Sequence, residues 1–173
     1  ASMFSTTGFS TVDLDKWPEF SKGLLVVLMF IGACAGSTGG GIKVSRVIIL
    51  LKTVKKELFS LLHPRSVKVL KIEGKPVEHQ VSRSIYTFLV SYLVIFIFST
   101  RLVILDNFDF TTNFSAVAAT LNNIGPGLGA VGPTGNFSGF SALSKWVMMF
   151  DMLAGRLEVF PMLFLFAPST WKK

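Results

Sequence analysis

Three stretches of the chain are apolar on every side. Residues 86–105 form an unbroken run of twenty with a single charge, Arg101, near its far end. At about 1.5 Å per residue such a run makes a helix of about 30 Å, the thickness of a bilayer's hydrocarbon core. Residues 146–166 form a second run that carries Asp151, Arg156 and Glu158. Residues 23–51 are longer still, but GACAGSTGGG at 32–41 sets five glycines in ten residues and interrupts them. A helix on a soluble protein keeps a polar face toward water; these runs have none.

The shorter segments differ in kind. TTNFSAVAATL (111–121) has helix-start residues and small side chains but is too short to cross a bilayer, and fits a re-entrant helix that dips in and turns back. NNIGPGLGAVG (122–132), with four glycines and a proline, is not helical. Non-helical backbone at membrane depth is tolerated only where protein buries it or water reaches it. Residues 62–76 read as a loop with a short hairpin about Glu73-Gly74-Lys75, and residues 106–109 as a short acidic turn.

Composition agrees: 16% of the 173 residues are charged, against about 25% in an ordinary soluble domain, and 50% are hydrophobic. The mean hydropathy is +0.58. A soluble globular enzyme and a disordered tail are excluded, and one cysteine, Cys34, builds no disulfide scaffold. The net charge of +7 lies wholly in residues 43–83, which hold ten cations and three acids, while the remainder balances at seven of each. A cation-rich connection between apolar runs is the mark of the cytoplasmic side. Nucleic-acid binding would interleave aromatics with the cations, and residues 74–84 contain none.

With residues 43–83 inside, the path is determined. Residues 23–51 run inward, 86–105 return outward, 111–121 dip from outside and 122–132 climb back. Residues 146–166 then descend to the anchor Trp171-Lys172-Lys173. Span, pore helix, filter-like loop and span together make a channel pore unit. The predicted fold is an all-α membrane protein of potassium-channel-like repeats with filter loops and a broken intramembrane helix.

The chain also repeats itself. Ser21-Lys22 is followed ten residues on by Gly32, and Ser144-Lys145 by Gly155. Ahead of these lie Thr6-Thr7-Gly8-Phe9 and Asn122-Asn123-Ile124-Gly125. The first copy lacks a preceding span and pore helix, so the chain is expected to be truncated at its N-terminus. The expected division is 1–53 (end of one repeat), 54–84 (cytoplasmic basic loop), 85–167 (a complete repeat) and 168–173 (cytoplasmic tail). Two such units do not enclose an ion path, which takes four-fold lining; the rest comes from absent sequence or other chains. In the filter-like segments glycine gives the backbone freedom to aim carbonyls at one axis, and Thr or Asn braces the strand.

FIGACAGSTGGGIKVSR (30–46), HPRSV and GKPV in the basic loop, LNNIGPGLGAVGPTGNFSGFS (121–141) and KWVMMFDMLAGRLEVFPMLFLF (145–166) together resemble the Trk/Ktr/HKT superfamily of potassium transporters, within it the bacterial TrkH type. The resemblance covers essentially the whole chain. It implies four pore repeats in one polypeptide, of which this chain carries the end of the third and all of the fourth. It implies a selectivity filter at Thr6, Thr7, Gly8 and Phe9 and at Asn122, Asn123, Ile124 and Gly125, with K⁺ held at Thr7, Gly8, Ile124 and Gly125. Residues 32–41, with Gly36, Ser37, Thr38, Gly39, Gly40 and Gly41, become an intramembrane gate, joined by Arg156, which lies near the bilayer centre. Also implied are K⁺ as the transported ion with no organic cofactor, a homodimer in the bacterial inner membrane, and a cytosolic nucleotide-binding regulatory subunit.

Bottom-up reading gives Arg156 either a gate role or an interhelical ion pair, with Asp151 and Glu158 as candidate partners. Arg101 reads as a snorkelling residue near the outer interface. Asp13, Asp15, Glu19, Asp106 and Asp109 lie on the outer side, as solvated loop charges or as acids that attract cations. Two other functions stay open: a cation-coupled carrier with its substrate on broken helix ends, and a membrane enzyme holding phosphate on GSTGGGIK. That run puts Ile42 between Gly41 and Lys43, unlike a P-loop, and GLGAVG at 127–132 lacks the strand and helix a dinucleotide fingerprint needs. No nucleophile–base constellation and no metal spacing is visible, so no enzyme is expected.

Overall fold

The computed structural model describes residues 2–63 other than 33, 35 and 38, residues 71–72 and 75–76, and residues 79–156. The architecture is helical. Helix α1 (Glu19–Phe30) follows Pro18, whose missing N–H would have had no partner at a helix start, and carries Glu19 in its first turn. It ends in a two-residue strand β1 (Ile31–Gly32) that pairs in parallel with β2 (Ile42–Lys43), Ile31 beside Ile42 and Gly32 beside Lys43. Helix α2 (Val44–Leu62) continues from there. The glycine run is thus an excursion whose ends meet, and the chain resumes in the direction it left.

The basic segment is more helical than expected. Helix α2 runs to Leu62, and α3 (His79–Val103) begins well before residue 86. Lys, Glu and Gln are good helix formers, so the helices extend past their apolar runs. Between them β3 (Lys71–Ile72) and β4 (Lys75–Pro76) pair antiparallel at the expected hairpin.

Among the described residues one segment, 80–106, is long and apolar enough to cross a membrane. Helix α3 buries Phe88, Tyr92 and Phe96 inward, yet turns Val90, Val94, Ile97 and Phe98 outward, the last 64% exposed.

Helix α4 (Phe110–Leu121) packs between α3 and α5 (Ala142–Arg156). Asp109 caps α4, accepting from the Thr111 N–H at 3.2 Å. Ala116, Ala118 and Ala119 have no exposed surface, and their small size lets the neighbouring helices approach closely. Phe30 of α1 enters the same core, edge-on to Phe96, which is in turn edge-on to Phe114 of α4, each pair 5.2 Å between centroids. Asp106 accepts from the Ser141 N–H at 2.9 Å, which sets a negative charge at the N-terminus of α5. Residues 157–173, with Glu158, the remainder of the 146–166 run and the 168–173 tail, lie outside the described residues.

Candidate functional site

Helix α4 ends in a turn that the N-terminal segment repeats. Beyond the cap residue Asn122, Asn123 takes a left-handed φ of 55°. Its N–H donates to the Thr120 carbonyl at 3.1 Å, and the Ile124 N–H reaches back to the Ala119 carbonyl at 2.9 Å. This is the Schellman arrangement, which satisfies carbonyls that a helix end leaves open. In the first copy Thr6 has φ 54°, its N–H donates to the Met3 carbonyl at 3.3 Å, and the Thr7 N–H to the Ser2 carbonyl at 3.0 Å. Gly8 (φ 78°) and Gly125 (φ 106°) follow two residues after each left-handed turn.

The structural register is therefore Thr6 with Asn123 and Gly8 with Gly125. Residues 2–6 also carry turn hydrogen bonds equivalent to those ending α4, so the first copy begins with more than a bare loop. Thr7 and Ile124 stay outside the positive-φ region, between left-handed neighbours.

The two turns touch. A side chain at Gly8 would collide with the carbonyl of Ile124 and approach the Pro126 ring at 3.0 Å. Thr6, Thr7, Asn123, Ile124 and Gly125 line one cleft of about 750 Å³, closed on one side by Met148, Met149 and Met152 of α5. Phe9 points away, 84% exposed.

Helix α4 braces the segment that follows. The Ser115 hydroxyl accepts from the Leu128 N–H at 2.8 Å and bonds the Leu128 carbonyl at 3.1 Å, and Thr112 Oγ1 accepts from the Ala130 N–H at 3.3 Å. These braces hold the backbone through the 3-10 turn Gly129–Val131. Replacing Ser115, 1% exposed, by alanine leaves the Leu128 N–H unpaired in the interior. The expected cost is about 1–3 kcal/mol, read as a lower melting temperature of the full-length protein. Asp15 ties the copies together: its Oδ1 accepts from the Gly129 N–H at 2.8 Å. It is a structural acceptor rather than a loop charge, a role that sequence patterning does not reveal.

Beneath the turns lies Asn122, with no exposed surface. Its Nδ2 donates to the Ala118 carbonyl at 2.7 Å, and its Oδ1 accepts from the Tyr92 hydroxyl at 2.8 Å. The glycine excursion rises against it. A side chain at Gly40 would meet the Asn122 carbonyl, and one at Gly41 would come within 2.8 Å of Oδ1. Below, Ser37, Gly39, Gly41, Lys43, Arg46 and Arg156 surround a cavity of about 100 Å³ together with Tyr92. Of the expected gate residues, Ser37, Gly39, Gly41 and Arg156 line this space; Gly40 packs on Asn122 instead, Gly36 has no atom near its open side, and Thr38 lies outside the described residues.

Helix α5 is fixed from both sides. Asn123 Nδ2 donates to the Met152 carbonyl at 3.0 Å, and Gly155 lies on the Leu121 carbonyl so closely that a side chain there would collide with it. Asp151, considered as a partner of Arg156, turns instead to α3: its Oδ1 accepts from Ser99 at 2.6 Å, and Oδ2 has no hydrogen-bond partner. Five residues from Arg156 on a helix, it faces a different side.

The family model described as TrkH, cation transport protein, matches residues 1–173. The chain is 41% identical over 172 residues to the Trk system potassium uptake protein TrkH of Escherichia coli K12, covering 99% of the chain and 35% of that protein. To the TrkH of Vibrio parahaemolyticus it is 42% identical over 171 residues, with the same coverage. The solved potassium transporter TrkH from Vibrio parahaemolyticus superposes with a TM-score of 0.85 at 40% identity, covering 98% of this chain and 36% of that one. The chain spans about a third of the length of these relatives.

Proposed function

Because this chain belongs to the TrkH family of cation transport proteins, a family of transporters and not of enzymes, we propose that it forms part of a potassium-selective path through a bacterial inner membrane. The supporting observation is the repeated turn. Two segments distant in sequence, Thr6–Thr7–Gly8 and Asn123–Ile124–Gly125, share the same left-handed residues and hydrogen bonds and lie against one another. Rings of backbone carbonyls are what replaces the hydration shell of a potassium ion in a filter. The C-terminal end of α4, with its negative dipole, points at the same place, which suits a cation.

In this reading residues 1–53 end one pore repeat, and 85–167 form a second of span, pore helix, filter and span. Residues 54–84, the basic connection, lie in the cytoplasm with the tail 168–173. The outward apolar face of α3 meets lipid or the remaining repeats, which complete the ring. K⁺ is cargo, held at Thr7, Gly8, Ile124 and Gly125. The excursion and Arg156 obstruct the path below, where a positive charge opposes an entering cation. A homodimer and a cytosolic nucleotide-binding subunit complete the assembly.

The test uses the full-length protein in cells deficient in potassium uptake and in liposomes. Gly125→Ser is expected to reduce K⁺ over Na⁺ discrimination about tenfold, equivalent to ~1.4 kcal/mol between the two barriers. Arg156→Ala is expected to raise flux under closed conditions. Unchanged discrimination in the glycine variant removes Gly125 from the filter.

A further inference from the structure

From the contacts of Asn122 we infer that Tyr92 is a positioning residue that couples the glycine excursion to the filter turn. The inference rests on the potassium-path reading and adds to it a residue lying outside both the filter and the gate. Tyr92 is 1% exposed on α3, and its hydroxyl is held by a single side-chain amide, that of Asn122. Asn122 is the last residue before the left-handed turn at Asn123. Its amide is fixed in both senses, the nitrogen on the Ala118 carbonyl and the oxygen on Tyr92.

The same oxygen is the atom that a side chain at Gly41 would approach to 2.8 Å, and the backbone carbonyl of Asn122 is what Gly40 packs against. One residue therefore receives the phenol from α3 and the excursion from below, and passes directly into the filter backbone. Tyr92 and Gly41 also both line the inner cavity with Arg156. A buried amide that loses a partner turns to find another. When the excursion leaves its present place, the Tyr92 bond holds the oxygen side of the Asn122 amide as the Ala118 carbonyl holds its nitrogen; without Tyr92 the oxygen side follows the loop, and the turn at Asn123 follows the amide.

The experiment measures K⁺ and Na⁺ fluxes of the full-length protein in liposomes for wild type, Tyr92→Phe, Gly41→Ala and the double variant. Tyr92→Phe removes one oxygen and keeps the ring packed in the core. The K⁺/Na⁺ flux ratio is expected to fall about tenfold, the scale of one lost buried hydrogen bond. Gly41→Ala, which pushes Asn122 Oδ1 from the loop side, is expected to lower the ratio too. It is also expected to have much less effect once Tyr92 is phenylalanine, since the freed amide gives way. A purely structural tyrosine would give additive effects. Additivity, or a wild-type ratio in Tyr92→Phe, overturns the coupling while leaving the potassium path intact. Should Tyr92→Phe fail to accumulate, a wild-type ratio in Gly41→Ala overturns it from the other side. A wild-type protein with no preference for K⁺ overturns the reading beneath, and the coupling with it.

Discussion

A single methyl group at Gly155 is expected to prise α5 away from α4. The added carbon of Gly155→Ala would fall on the Leu121 carbonyl and close to Leu121's carbonyl carbon and the Asn123 amide. These are backbone and filter-turn atoms, which cannot swing aside as a flexible side chain would. Relief requires α5 to retreat, which breaks the 3.0 Å bond from Asn123 Nδ2 to the Met152 carbonyl. Overpacking a rigid site costs about 1–3 kcal/mol, and the lost hydrogen bond about 0.5–1 kcal/mol more. The expected result is a melting temperature lower by several degrees in detergent-solubilised full-length protein, with potassium-dependent growth lost. Gly23→Ala is the control. Gly23 sits inside α1 with nothing within 4 Å of the added carbon, so the substitution is expected to stabilise by about 0.5–1 kcal/mol through helix propensity.

The second large effect is at Gly8. Alanine there meets two obstacles at once: a φ of 78° that side-chain-bearing residues rarely adopt, and the carbonyl of Ile124 across the contact between the two turns. The left-handed conformation alone costs about 1–2 kcal/mol. The collision adds a displacement of Ile124, the residue proposed to present a carbonyl to the ion. Gly125→Ala meets only the conformational cost, since nothing lies within 4 Å of its open side. The expected outcome is an order: Gly8→Ala abolishes potassium-selective flux, whereas Gly125→Ala retains measurable flux with poorer discrimination. Flux assays in liposomes with each cation separately read both. The reverse order would mean that the contact between the turns has no part in holding the filter.

Much of this was legible in the sequence because glycine and charge leave strong marks. The apolar run at 86–105, the short helix before NNIGPG and the broken run at 32–41 follow from residue type alone, and all reappear as α3, α4 and the β1–β2 excursion. The register of the internal repeat is not legible from residue type for a physical reason. The doubled residues Thr6-Thr7 and Asn122-Asn123 suggest one pairing, but a Schellman end is defined by which residue goes left-handed, and threonine carries no sign of that. The helices of the basic segment extend past the apolar runs because an apolar run marks where lipid begins, not where hydrogen bonding stops. The bracing roles of Tyr92, Ser115 and Asp15 leave little mark in the sequence, since each acts on a distant backbone or amide group. The one available hint was a tyrosine inside an otherwise apolar span, whose buried hydroxyl needs a partner.

The parallel pairing of Ile31–Gly32 with Ile42–Lys43 makes residues 33–41 a side branch of the helical path. Because the branch leaves and rejoins at neighbouring points, its length is independent of the spacing between α1 and α2. Doubling a flexible loop costs only about 0.6 kcal/mol of closure entropy. In the proposed reading, the branch is accordingly free to change course while α1 and α2 keep their positions.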